Sequence, residues 1–517
     1  MLTKANHKQE NTIDIVSAKG RELLQFNPGK FAKETLNLNW NAYRCRLPKS
    51  GSISSKYKSQ TISAGEMLSG VINSCLLGNN FSQSCSSFAS TLLPAKKSAM
   101  YEFMSSPKAN WNRMTMLTAW EAHKQIAYLT NHKEHCLIID DSVLEHSGAK
   151  RMENVTRTYD HNLGSTVKGF TCLQLGWTDG RNCFTIDSKL VASDESKAKS
   201  KACPKQKNKC FDHRLHGGVI RNDAYISKPE LLKQMVLNAQ RQGFDFAYVL
   251  MDFWFTYEVL LKWFKTQRSI DIIGMLKMDC RKYLRKDRLG RSVCCAPLDE
   301  LWRSFKHKRI KDNSSIAGCE IVRAFTGKEK FENGIDLKIV YLRSYSEPNK
   351  ILVLSSTDLK LSPEKIVRMY ACRWMIETGF FNQKEFFGLG KETRSVDFDN
   401  QNAFMCLSAL RATILEFHRC LHRDVRTMGE IARNCQETMR IIPLAEAVKE
   451  LFVRLIEFPD KLDAKGCIVK GKLRTVKHML KMLLCNWYHD MIDYVKAIFD
   501  FCPKQIQSSG SQKKVLT

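Results

Sequence analysis

Three carboxylates and one basic, aromatic stripe carry the chemistry visible in this chain. Asp140 closes an apolar run, LIID, and Asp252 closes another, YVLMD. Glu377 lies within YACRWMIETGFFNQKEFF, Tyr370 to Phe387, together with Tyr370, Arg373 and Lys384. At about 100° per residue, those four positions fall within roughly 60° of one another around a helix. Hard divalent cations such as Mg²⁺ take a few carboxylate oxygens and leave other positions to water and phosphate. Two such ions about 4 Å apart activate a nucleophile on one side of a phosphorus and stabilise the leaving oxygen on the other. Asp140, Asp252 and Glu377 suffice as ligands for that chemistry. Arg373 and Lys384 would then hold DNA phosphates, Tyr370 would hydrogen-bond one, and Trp374 would stack on an exposed base. The same residues also fit a solvated helix face whose Arg373–Glu377 pair contributes about 0.2–0.5 kcal/mol, and strand-terminal aspartates are common turn residues.

These acids need strands and a helix to position them. Polar groups at the carboxyl ends of strands in an α/β sheet are where sites are built. Alternation along HCLIIDDSV puts Ile138, Asp140 and Ser142 on one side, which favours Asp140 over Asp141 as the inward acid. The segment KGFTCLQLGWTDGRNCFTIDSKLV predicts a hairpin about its Thr-Asp-Gly turn. KPELLKQMVLNAQRQGF predicts a helix, FDFAYVLMD a buried strand, TYEVLLKWFKTQ a helix, IDIIGMLKM a strand and ILVLSSTD another; together they make a mixed α/β sheet. A long helix is expected from Pro363 through the stripe. Near the start, FSQSCSSFASTLLPAKKSAMYEFM is compatible with a helix-turn-helix presenting Lys96, Lys97 and Tyr101 to DNA.

Composition bounds the partner. The 517 residues suggest two to four domains, and 81 Lys+Arg against 53 Asp+Glu leave a formal charge of +28. That excess fits nucleic acid, although a generic basic surface or a ribosome-associated protein shares it. The nineteen cysteines are scattered behind a polar start, so reduced cytosolic thiols are expected. Cys203, Cys210, His213 and His216 lack zinc-finger spacing and are taken as part of a basic surface loop. The most apolar stretch, AYVLMDFWFTYEVLLKWF, is interrupted by Asp252, Glu258 and Lys262, so no membrane span is expected.

Tyr370, Arg373, Glu377 and Lys384 in Y-x2-R-x3-E-x6-K, with Asp140 in IIDDS and Asp252 in YVLMDFWF, resemble the insertion sequence 4 family of DDE transposases. YDH at Tyr159 and KGF…LGWTDG at Lys168 resemble one subgroup, and the likeness spans about residues 135–415. It implies an α/β RNase H-like catalytic core interrupted by a mostly β insertion and flanked by helical regions. The expected division is 1–134, helical from about 64 and DNA-binding; 135–278, first part of the core; 279–350, basic β-rich insertion; 351–400, second part; and 401–517, helical with a polar tail. By the same resemblance Asp140, Asp252 and Glu377 are catalytic metal ligands, for two Mg²⁺ ions that Mn²⁺ replaces. Tyr370, Arg373, Trp374 and Lys384 match DNA-end contacts. Expected partners are double-stranded DNA, as terminal inverted repeats and target, and a second copy of the chain on that DNA; a cytoplasmic, DNA-associated location follows. The expected reaction is cleavage and strand transfer in cut-and-paste transposition. Alternatives are a catalytically silent DNA-binding derivative and a structure-specific nuclease with the same core. Phe253 stands where the subgroup often has serine, and Ile351 begins the strand on which a relative carries a base-flipping tryptophan.

Overall fold

The computed structural model describes residues 28, 51–52, 61–78, 80–86, 93–192, 212–286, 291–304, 315–325, 333–343, 351–469 and 471–489. Most of Lys197–Arg214, with Cys203 and Cys210, lies outside them. His213 and His216 are described, on the edge and first turn of a helix, hydrogen-bonded to Asn222 and Asn112.

Eleven strands form one mixed sheet. They are β1 Cys136–Glu145, β2 Thr156–Asp160, β3 Ser165–Thr178, β4 Cys183–Val191, β5 Tyr248–Met251, β6 Asp271–Leu276, β7 Lys282–Lys286, β8 Ser292–Pro297, β9 Ile316–Ala324, β10 Ile335–Arg343 and β11 Ile351–Ser356. Their order is β8-β7-β9-β10-β11-β6-β5-β1-β3-β2, with β4 also paired to β3. Only β1–β5 and β5–β6 are parallel. The parallel centre follows from composition: Tyr248–Met251 is buried along its whole length, as a strand covered on both faces must be. Strands β7 to β10, from the stretch expected as an insertion, pair through β11 onto β6 and so continue the same sheet. Residues 287–290 and 305–314, which carry much of its basic text, lie outside the described residues.

Helices cover the sheet. Upstream of it lie α1 Ala64–Leu77, α2 Lys97–Met104 and α3 Trp111–Ile126. Ser63 and Glu66 close a capping box that starts α1. Within the sheet region come α4 His216–Asp223, α5 Lys228–Gln242, α6 Glu258–Lys262 and α7 Leu298–Ser304; after it come α8 Pro363–Ala371, α9 Trp374–Phe386, α10 Phe398–Leu421, α11 Met428–Ala464 and α12 Leu473–His489. Among the described residues no helix is long and apolar enough to cross a membrane.

Two sequence expectations change here. The element ahead of α2 is a single turn, Phe81–Ser84, and residues 87–92 lie outside the described ones. Tyr101 packs edge-on against Phe81 at 5.0 Å, and Lys97 Nζ donates to Ser82 Oγ at 2.6 Å. The Tyr101 ring is half-buried and the exposed Lys97 is tied to Ser82, so each has a partner within the chain. The stripe is also not one helix. The amides of Cys372, Arg373, Met375 and Ile376 donate three residues back, to Met369, Tyr370, Cys372 and Arg373. Such bonds tighten the backbone to three residues per turn, which separates α8 from α9 and rotates Tyr370 relative to Glu377.

The helical layer is tied together by a buried ion pair. Arg411 on α10 and Glu392 are 1% and 2% exposed, and Arg411 also donates to Ile72 O (2.8 Å), Phe387 O (3.0 Å) and Ser74 Oγ (3.0 Å). Removing one partner strands a buried charge, so Arg411→Ala is expected to cost about 3–5 kcal/mol. Urea unfolding of Arg411→Ala beside the double variant Arg411→Met/Glu392→Met measures it. The double variant should recover much of the loss.

Acid should weaken the same layer. Burial, helped by neighbouring His422, pushes His418 down from 6.5 to about 4. The folded state therefore binds fewer protons than the unfolded state between those values. Stability from neutral His418 is present above pH about 6.5 and is lost as pH falls through about 4, a loss of roughly 3 kcal/mol. Melting temperature against pH should fall less steeply in His418→Gln.

Candidate active site

Strand register brings the two aspartates together. β1 and β5 run parallel with Ile138 opposite Leu250. Asp140 and Asp252 each lie two residues further on, so they emerge at one level and on one face. The Asp252 carboxylate disfavours ionisation of Asp140. β1 does not end at Asp140, as the sequence suggested, but continues to Glu145 because β3 pairs along its whole length. What ends beside Asp140 is the parallel pairing with β5. Asp141 points the other way, to Lys228 Nζ at 3.0 Å.

Asp252 sits in a turn braced by its neighbours. Its Oδ1 accepts from Trp254 N at 3.0 Å, and its backbone oxygen accepts from Thr256 Oγ1 at 2.6 Å. Thr256 fits there because β6 has glycine opposite it: a Cβ on Gly274 would stand 2.3 Å from Thr256 Oγ1. Phe253 turns aside against Trp254, with ring centroids 5.5 Å apart.

Glu377 is carried to the aspartates by α9, and α9 is clamped by a buried amide pair. Gln174 is the cross-strand partner of Asp140. Its Nε2 donates to Gln383 Oε1 at 2.8 Å, and Gln383 Nε2 returns a bond to Gln174 Oε1 at 3.0 Å. Both glutamines are fully buried. Sequence reading missed them, although a glutamine within the apolar run FTCLQLGW was a signal, since a buried amide must find partners.

Arg373 joins the acids. One guanidinium nitrogen donates to Asp140 Oδ2 at 3.0 Å, and another binds Glu377 Oε1. The Arg373 side chain is 14% exposed, so the pair is not the solvated one that helical spacing alone allowed. Burial pushes Asp140 up to about 7, against the pull of Arg373 and with the push of Asp252 and Asp141. Burial likewise raises Asp252. For Arg373, burial works against the charge but is outweighed by Tyr370, Asp140 and Glu377, which raise it. The Tyr370 ring lies 5.6 Å from the guanidinium, and its buried hydroxyl has no hydrogen-bond partner; burial pushes it up to about 12.

The remaining stripe residues diverge. Lys384 Nζ donates to Ser142 Oγ at 2.7 Å and Val143 O at 3.1 Å, and burial lowers its basicity. Trp374 is 66% exposed. Trp254, 53% exposed beside Asp252, adds a second open ring, with His161 at 5.0 Å and Lys277 Nζ at 5.8 Å from it.

Carboxylate oxygens are the donors a hard divalent cation takes, but with Arg373 between Asp140 and Glu377 the ligand atoms of the three acids do not all lie within 4.8 Å of one another. The donor set consists of carboxylate oxygens gathered from two strands and a helix, with more buried negative charge than one arginine neutralises comfortably. The guanidinium between Asp140 and Glu377 supplies the positive charge that an ion would bring.

One family model matches part of the chain. The model of a DDE superfamily endonuclease family matches residues 75–291, a stretch that includes Asp140 and Asp252 and stops before Glu377. It supports a DDE transposase-type family, a nuclease- or transposase-type enzyme and an RNase H-like fold for the α/β sheet. No curated protein matches the chain.

Proposed function

We propose that the chain is a DNA transposase of the insertion sequence 4 type, cutting DNA at the ends of its element and joining them to a target. The observation that carries this reading is the register of two adjacent parallel strands, which sets Asp140 level with Asp252 just past the second strand, with Glu377 joined to Asp140 through Arg373. Asp140, Asp252 and Glu377 would hold Mg²⁺, or Mn²⁺ in its place. A bound divalent ion lowers the pKa of water and stabilises the leaving oxygen of a phosphodiester.

The protein's own part is placement. The β1–β5 register sets the separation of the aspartates, and the Gln174–Gln383 clamp sets the reach of Glu377. Arg373 preserves the acids until substrate arrives and offers its fork to a phosphate. The Tyr370 hydroxyl, beside the Arg373 guanidinium, is a donor that a phosphate can take up. Lys384 must leave Ser142 and Val143 to meet a phosphate. Trp374 and Trp254 offer open faces on which an unstacked base can rest. A homodimer on paired ends would let each chain act on one end.

The test is a plasmid carrying the inverted repeats that flank the gene, incubated with the protein and Mg²⁺. The expected products are excised element and joined molecules. Cleavage without joining would point to a structure-specific nuclease, and binding without cleavage to a silent derivative.

With a formal charge of +28, end binding should also be steeply salt-dependent. Six to ten phosphate contacts imply a loss of about 10³–10⁵ in affinity between 50 and 200 mM salt. Gel-shift titrations at several salt concentrations give the slope; a flat one would exclude DNA as the main partner.

A further inference from the structure

At the opposite end of the same two strands lies a second cluster. His132 and His135 stand in the turn that enters β1, and Asp245 in the loop that enters β5. One ligand atom from each lies within 4.8 Å of the other two, the one such triad of His, Cys, Asp or Glu among the described residues. Both imidazoles turn Nδ1 to the one carboxylate: His135 Nδ1 is 2.8 Å from Oδ2, and His132 Nδ1 contacts Oδ1. His135 Nε2 meets Thr130 Oγ1 at 2.8 Å. Trp177 Nε1 donates to Asp245 O at 2.7 Å, and Ala247 N donates to His135 O at 2.9 Å. The His135 side chain is 1% exposed while that of His132 is 56% exposed, so the cluster has a built floor and an open mouth.

The geometry points to a structural zinc site formed by His132, His135 and Asp245, separate from the carboxylate centre. Two imidazole nitrogens and one carboxylate oxygen are a borderline-soft set that suits Zn²⁺ better than Mg²⁺. Zinc bonds of about 2.0–2.1 Å put tetrahedral ligands roughly 3.4 Å apart, so the two histidine–carboxylate contacts need only open slightly to admit the ion. In the metal-free contact His135 Nδ1 donates to Asp245; metal at Nδ1 would shift the ring hydrogen to Nε2, from which Thr130 Oγ1 is placed to accept. The fourth position faces solvent beside His132 and takes water.

His135 precedes Asp140 by five residues, about 17 Å along an extended chain, so this ion takes no part at the acids. Its effect is mechanical. It pins the roots of β1 and β5, whose other ends carry Asp140 and Asp252, and so holds the register on which that site depends.

The experiment is titration of the chelator-stripped full chain with Zn²⁺, followed by calorimetry and melting temperature, and with Co²⁺, followed by visible absorption. Expected are one ion per chain, a melting temperature that rises with free zinc, and cobalt bands of nitrogen and oxygen ligation without a thiolate charge-transfer band. His132→Ala, at an exposed side chain, should fold and lose the one-to-one binding. Thr130→Val should weaken it by about 10–100-fold. Tight binding that survives in His132→Ala, or a thiolate band, would place the metal at the cysteines and overturn the assignment. No zinc-dependent rise in melting temperature would overturn it as well. Because these readouts involve no DNA, they stand or fall independently of cleavage.

Discussion

Asp140→Asn and Asp252→Asn should each lower DNA cleavage by about 10³-fold or more while leaving the protein as stable as before. Each aspartate would be a ligand to a catalytic cation, and loss of one leaves the attacking and leaving oxygens without an aligned ion; single electrostatic contacts of this kind are already worth about 10²–10³ in rate. Stability goes the other way for a stated reason. Burial raises both aspartates, Asp252 and Asp141 add to the cost of ionising Asp140, and Asp141 adds to that of Asp252, so a neutral amide of the same shape relieves the folded state of a disfavoured charge. Arg373 keeps Glu377 as a partner in Asp140→Asn. Asp141→Asn is the control. Its carboxylate pairs with Lys228, although its charge is felt by both acids, so cleavage should fall far less than in the other two variants. Single-turnover cleavage of a labelled end duplex with Mg²⁺, read beside melting temperature, checks both halves. Near-normal cutting by Asp140→Asn would remove it from the catalytic set.

Arg373→Ala should damage activity and stability together, and divalent cation should restore only stability. Without the guanidinium, Asp140 loses the cation that pulls against its burial, and Glu377 loses its ion-pair partner. Because both acids retain some contact with water, the cost is below that of a fully buried pair, roughly 1–3 kcal/mol. A cation bound to the native state adds stability by mass action. The melting temperature of Arg373→Ala should therefore rise more with Mg²⁺ than that of the parent. Cleavage should stay low, since the fork that would hold the phosphate is gone, and Arg373→Lys should recover part of it. Equal Mg²⁺ shifts in parent and variant would mean that arginine and cation serve different places. Early melting with normal cutting would make the contact purely structural.

Local text determined much of this molecule. The apolar run before Asp252 is buried strand because four consecutive apolar residues need cover on both faces, and alternation through LIIDDS separates Asp140 from Asp141. The spacing of Tyr370, Arg373, Glu377 and Lys384 belongs to the sequence too, since helical geometry is a property of the backbone. Tertiary structure decided what lies beyond any window of residues. The β1–β5 register put Asp140 level with Asp252 from 112 positions away, the difference of their numbers. The length of β1 past Asp140 came from β3, and the strands after residue 281 joined the sheet through β11, because hydrogen-bonding edges are satisfied by whichever strand the fold brings alongside. The same holds for Arg373. Its spacing to Glu377 was legible, but its burial and its bond to Asp140 arise only when α9 is clamped onto β3 by Gln174 and Gln383. Desolvation is a property of the packed environment rather than of any one residue, which is why charge state and pairing at this centre had to await the folded chain.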